Sequence, residues 1–128
     1  ASTNSNYASQ FHLPGTFAPI ADFGLLRHAV EIAEEKGLSI HVGNILSSDV
    51  FYNDLPEDSF AWEKMGILAV EMEAAALYMN AARAGKKALG LMTISDHLAT
   101  GEALSSDERQ TGFAEMIGLA LDTAATMD

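Results

Sequence analysis

The 128-residue chain carries eighteen acids against seven bases, a formal net charge of −11, and no cysteine. That charge argues against nucleic acid or an anionic membrane as a partner, and without cysteine there are no disulfides and no thiolate zinc sites. The length fits one domain with enough apolar content for a core. No apolar run is long enough to span a bilayer and no signal-peptide pattern opens the chain, so the expected compartment is the cytoplasm. The acids are spread along the chain, as solvated helix faces would have them.

Residues 1–21 read as loop, with Pro14-Gly15 and Pro19 as breakers. The opening Ala1-Ser2-Thr3-Asn4-Ser5-Asn6 lacks an initiator Met and reads as a polar loop in mid-fold, as processing or a break in a longer chain would leave it. Asp22 can cap a helix whose stripe runs Leu25, Leu26, Ala29, Val30, Ala33, ending at Gly37. Leu38-Ser39-Ile40-His41-Val42 alternates as a strand, continued or bent by Gly43-Asn44-Ile45-Leu46. Ser47-Ser48-Asp49 opens a turn carrying Phe51-Tyr52. A short helix is predicted from Pro56-Glu57 to Met65, with Gly66 as its stop.

The strand Ile67-Leu68-Ala69-Val70 comes next, then a helix from about Glu73 to Ala84, closed by Gly85. Lys87 to Ile94 is almost continuously apolar, the pattern of a central strand covered on both faces. Ser105-Ser106-Asp107-Glu108 has capping-box form and opens the last helix, with Phe113, Met116, Ile117, Ala120 and Leu121 on one face. Helices alternating with strands imply an α/β layered sheet with parallel strands. Three strands are few for so apolar a last one, and further strands from elsewhere are expected to complete the sheet.

Two of the predicted strands end in acids, and in an open α/β sheet the carboxyl ends of the strands face the ligand. Glu71 and Glu73 share a face if the strand persists, and splay apart if the helix starts early. They either accept hydrogen bonds from sugar hydroxyls, with Met72 packed beside them, or offset the dipole of the helix that begins there. Asp96 either caps the next turn or serves as a general acid, partly desolvated at the end of an apolar strand and oriented by Ser95 or His97. His97 by itself fits a structural role. Phe51 and Tyr52 either stack on a flat ligand or plug the core. Arg109 is a cation in the first turn of a helix, an unfavourable place. It either pairs with Asp107 or Glu108 or points towards Asp96 or a ligand.

Val42-Gly43-Asn44 through Ser48-Asp49-Val50-Phe51-Tyr52, then Val70-Glu71-Met72-Glu73-Ala74-Ala75, Ser95-Asp96-His97 and Glu108-Arg109-Gln110-Thr111 together resemble the bacterial hexameric purine nucleoside phosphorylases. The resemblance runs from roughly Ser2 to Leu121 and matches the C-terminal half of that family's subunit. It implies a three-layer mixed sheet with flanking helices, of which residues 1–128 supply the C-terminal half of a single domain. It also implies cleavage of the N-glycosidic bond of purine nucleosides by inorganic phosphate as co-substrate, with no cofactor, in a cytoplasmic hexamer. By the resemblance, Phe51 stacks near the base, and Val70 and Met72 line base and sugar. Glu73 accepts from sugar hydroxyls with Glu71 close behind. Asp96 protonates purine N7 beside Ser95, and Arg109 swings towards Asp96 when the segment before the last helix closes.

As the glycosidic bond stretches, the sugar gains oxocarbenium character and the purine gains negative charge, so Glu73 and Asp96 would act most strongly in the transition state. The family holds phosphate with a Gly-containing loop and several arginines of its N-terminal half. Here the arginines are Arg27, Arg83 and Arg109, and no such loop is present. The chain alone is therefore expected not to be a competent phosphorylase and to need an N-terminal half as partner. Rival readings are a hydrolytic nucleosidase of the 5′-methylthioadenosine/S-adenosylhomocysteine type and a non-catalytic fragment with a structural or ligand-binding role. A uridine phosphorylase fits less well, since pyrimidines lack the N7 that Asp96 would address.

Overall fold

A computed structural model of the chain describes residues 1–51 and 57–126. In chain order these form β1 (Ser2–Thr3), a 3-10 helix (Tyr7–Phe11), α1 (Phe23–Glu35), β2 (Leu46–Ser47), α2 (Glu57–Lys64), β3 (Val70–Glu71), α3 (Ala74–Arg83) and α4 (Ser106–Ala125). They divide into two compact units, Ala1–Asp22 with Val42–Ala88 and Phe23–His41 with Leu89–Asp128. The α/β expectation is met by a small sheet flanked by helices.

The first unit holds the sheet, in the order β1-β2-β3 and parallel throughout. Ser2 and Thr3 face Leu46 and Ser47, and these in turn face Val70 and Glu71. Backbone bonds extend the second pairing: Leu68 N–H donates to Asn44 at 2.9 Å and Ser48 N–H to Glu71 at 2.8 Å. α3 buries Ala74, Ala75, Tyr78 and Met79, a stripe with helical spacing. The polar end of α3 is tied to the 3-10 helix, where Asn80 Nδ2 donates to the Tyr7 hydroxyl at 2.8 Å and Arg83 lies over the Phe11 ring at 5.5 Å. Gly85 closes α3 at φ +64°, its N–H on the Ala82 carbonyl and the Lys86 N–H on Ala81. That left-handed turn satisfies two of the last carbonyls of the helix, and a residue with a Cβ would be strained there.

In the second unit α1 packs on α4. Ile32 and Ala33 meet Leu119, with Leu38 and Leu91 against them. Ala29 of α1 and Thr123 of α4 are also buried, and the Thr123 hydroxyl is satisfied by donating to the Leu119 carbonyl at 2.7 Å. Lys36 pairs with Asp122 across the two helices. Gly37, at φ +67°, ends α1 with the same two-bond closure, its N–H on Glu34 and the Leu38 N–H on Ala33.

Several expectations need correction. The loop read over residues 1–21 contains β1 and the 3-10 helix, because β1 exists only by pairing with β2, 44 residues on along the chain. The α1 stripe is centred on Ala29, Ile32 and Ala33, while Leu25, Leu26 and Val30 are half-buried. The strand expected over residues 38–42 is unpaired as a ladder, with Ile40 and Val42 exposed, and pairing begins further along. Residues 87–94 join none of the three strands, and Ile94 is 53% exposed. Apolar composition encodes a preference for burial, but a ladder also requires a neighbouring backbone in register. On α4, Phe113, Ile117 and Leu121 are likewise exposed, and burial falls on Leu119 and Thr123. The predicted start of α2 at Pro56, like Tyr52, lies outside the described residues.

Candidate active site

The predicted site residues fall into two groups, one in each unit. In the first unit, β3 ends at Glu71 and α3 begins at Ala74, so the chain leaves strand geometry between the two glutamates. Their side chains then take different tasks. Glu71 turns back on the helix: its Oε2 accepts the N–H groups of Glu73 and Ala74, each at 2.6 Å. Its Oε1 accepts the hydroxyl of Ser47 on the adjacent strand. Ser47 Oγ accepts the Ala75 N–H at 2.8 Å in turn. The first N–H groups of a helix lack intrahelical partners and carry partial positive charge, and here a carboxylate and a hydroxyl from outside the helix satisfy them.

Glu73 occupies the N-cap position yet makes no side-chain cap. Its carboxylate is exposed and has no hydrogen-bond partner among the described residues. The helix-dipole role thus belongs to Glu71, and Glu73 remains available to accept from a ligand. Val70 and Met72, on either side of Glu71, are apolar and exposed. Phe51 is 75% exposed, so it is not the core plug that its residue type permits.

In the second unit Thr93 anchors the segment that carries the acid. Its hydroxyl donates to the Gly112 carbonyl of α4 at 3.1 Å. A Cβ at Gly112 would meet Thr93 Cγ2 at 2.9 Å, so a larger residue there would push on the Thr93 side chain. Two residues further on, Ser95 Oγ donates to Asp96 Oδ2 at 2.6 Å, and Arg109 Nη2 donates to Asp96 Oδ1 at 3.0 Å. Arg109 is itself aimed by Nε–H donation to the Leu104 carbonyl at 3.1 Å. Of the two roles open to Arg109, the ion pair with Asp96 is the one formed, and it is formed without any further swing. The desolvation expected of Asp96 is not found: its side chain is 49% exposed, because the segment before it is not sheathed as a central strand.

A tight turn comes next. Asp96 and Ala103 form an isolated antiparallel bridge, His97 N–H donates to Glu102 at 2.7 Å, and Gly101 N–H donates back to His97 at 2.8 Å. His97 Nδ1 accepts the Thr100 N–H at 3.2 Å, which is the structural role. Ser105 and Glu108 then form the capping box of α4. The Glu108 carboxylate accepts the Ser105 hydroxyl at 2.7 Å and the Ser105 N–H at 2.9 Å. These two bonds, the hydroxyl first, hold its pKa below the ordinary glutamate value. With Glu108 engaged in the capping box, Arg109 pairs with Asp96.

Ser47 is the one residue of the site that sequence reasoning missed. It is only 2% exposed, whereas the sequence places it at the opening of a turn. A polar residue ending an apolar segment was the only local signal, and nothing in it names Glu71 as the partner. Among the described residues no group of three or more His, Cys, Asp or Glu side chains is placed to hold a metal ion. No helix among them is long and apolar enough to cross a membrane.

The profile of a family described as the phosphorylase superfamily matches residues 2–125. A DeoD-type purine nucleoside phosphorylase of Geobacillus sp. (strain WCH70) is 52% identical over 97% of this chain and 52% of its own length. One from Clostridium beijerinckii is 53% identical over 100% of this chain and 54% of its own. The chain therefore spans about half the length of the curated relatives it matches. Among solved structures, the P. knowlesi homologue of P. falciparum PNP superimposes with a TM-score of 0.76 at 22% identity, covering 95% of this chain and 50% of that one. At that identity the likeness speaks for the fold.

Proposed function

The chain belongs to the phosphorylase superfamily, and from that premise we propose that it is the C-terminal half of a purine nucleoside phosphorylase domain, supplying the residues that hold base and sugar. The observation that carries this reading is the carboxylate of Asp96, held on one oxygen by Ser95 and on the other by Arg109. Donors placed on both oxygens stabilise the carboxylate that remains once a proton has been given to a leaving group.

In the proposed reaction a phosphate oxygen bonds to the anomeric carbon as the bond from that carbon to purine N9 breaks. The bonding pair leaves with the purine. Asp96, which has first taken up a proton from solvent with its Arg109 contact released, delivers that proton to N7. Arg109 then stabilises the carboxylate that remains, a contribution made by a preorganised donor. Glu73 accepts hydrogen bonds from the sugar hydroxyls and offsets the charge of the oxocarbenium-like sugar. Phe51 stacks near the base, while Val70 and Met72 line base and sugar.

The phosphate is proposed to be held by the other half of the domain. Each arginine of this chain is already engaged: Arg27 with Glu31 at 3.5 Å, Arg83 over Phe11, and Arg109 with Asp96. Purine nucleoside and phosphate are the proposed substrates, with no cofactor, in a cytoplasmic hexamer of the kind the resemblance implies.

The test is purine release from inosine by the chain assembled with the complementary half of its subunit, with and without inorganic phosphate. The expected result is release only with phosphate, with ribose 1-phosphate as the second product. Release without phosphate, yielding free ribose, would replace this reading with a hydrolytic nucleosidase. Neither binding nor cleavage of inosine would leave a structural fragment.

A further inference from the structure

We infer that Ser47 is a positioning residue for the sugar site, acting by relieving Glu73 of the task of capping α3. This rests on the proposed role of Glu73 as acceptor for the sugar hydroxyls.

A helix that starts from a strand end needs acceptors for its first N–H groups, and the N-cap side chain is the usual source. At α3 the N-cap residue is Glu73, and it does not cap. Glu71 accepts from the Glu73 and Ala74 N–H groups, and Ser47 accepts from Ala75. The two capping groups are joined, because the Ser47 hydroxyl has a single proton to donate and gives it to Glu71. Ser47 thus holds Glu71 in the capping position while capping the next N–H itself. It can do so because β2 and β3 are paired with Ser47 opposite Glu71. Burial at 2% keeps water from substituting for the hydroxyl.

Removing the hydroxyl leaves the buried Ala75 N–H without an acceptor and Glu71 with one partner fewer. With Glu71 held less firmly, the N-cap residue Glu73 is the acid placed to take over, and the positive end of the helix would draw its carboxylate back. A nucleoside would then lose its sugar acceptor, although the residues proposed for the base are untouched. The effect should therefore fall on the sugar and spare the base, which a general loss of packing would not do.

The experiment titrates the chain with inosine and, separately, with hypoxanthine by calorimetry, in the wild type, Ser47→Ala and the hydroxyl-preserving Ser47→Thr. Ser47→Ala is expected to weaken inosine by about tenfold, the equivalent of one charge-assisted hydrogen bond, leave hypoxanthine within about twofold, and be restored in part by Ser47→Thr. Equal losses for both ligands, or no loss for either, overturns the inference while leaving the proposed function standing. A wild-type chain that binds hypoxanthine and inosine equally weakly overturns both. Should Ser47→Ala fail to fold by circular dichroism, Glu71→Gln takes its place with the same expected pattern and the same overturning result.

Discussion

The two corners where the candidate residues sit solve one problem in different ways. At each, a helix begins beside a residue that is proposed to work on a ligand, and the helix end has to be satisfied without using that residue. At α4 the solution is local: Ser105 and Glu108, three apart, cap one another and leave Arg109 for Asp96. At α3 it is long-range: a serine 24 residues before Glu71 reaches across the sheet, and Glu71 and Ser47 together spare Glu73. The α4 cap is exposed, whereas Ser47 is buried. A functional side chain at a helix start is free to act when another group answers the helix dipole, and the α3 corner achieves this with less tolerance for change.

The largest effects are expected at Asp96. In the chain assembled with its complementary half, Asp96→Asn should lower turnover on inosine by roughly 10²- to 10⁴-fold, the range for loss of a general acid, with hypoxanthine affinity little changed. Arg109→Ala, which leaves the acid but removes the group that stabilises it, should lower turnover by about 10²-fold and base affinity far less. Steady-state kinetics beside hypoxanthine titration separates the two quantities, and parallel losses in both would break the assignment of this corner to proton transfer.

Smaller effects belong to the α4 cap. The folded-state pKa of Glu108 lies below its unfolded value, so its contribution is complete above the unfolded glutamate range. It is lost as pH falls through the lowered folded value. The start of α4 should therefore lose amide-exchange protection on acidification below the usual glutamate range, and Ser105→Ala should show that loss already at neutral pH. A Ser105→Ala chain with wild-type protection at Arg109 and Gln110 would show that the box does not hold this corner.

The legibility of each corner in the sequence divides along the same line. The capping box at Ser105, the stops at Gly37 and Gly85, and the apolar stripe of α1 are signals carried within a few residues, and they led to the right helices. β1, the short reach of the strands and the partnership of Ser47 with Glu71 depend on residues 24 to 44 positions apart, where periodicity carries no information. The acids at 71 and 73 illustrate the limit. Spacing left open whether they share a face or splay, and only the early start of α3 separates the capping acid from the free one. The order of motifs, rather than any single one, pointed to the family.

The most direct test compares Glu71→Gln with Glu73→Gln, measuring thermal stability and inosine affinity for each. Glu71→Gln is expected to lower stability by about 1–2 kcal/mol, as loss of a charged capping acceptor does, and to weaken inosine as Ser47→Ala does. Glu73→Gln is expected to melt with the wild type and to weaken inosine roughly tenfold, through loss of charge-assisted bonds to the sugar. A Glu73→Gln chain that melts lower with inosine affinity intact would contradict the account, since the free carboxylate would then be the cap.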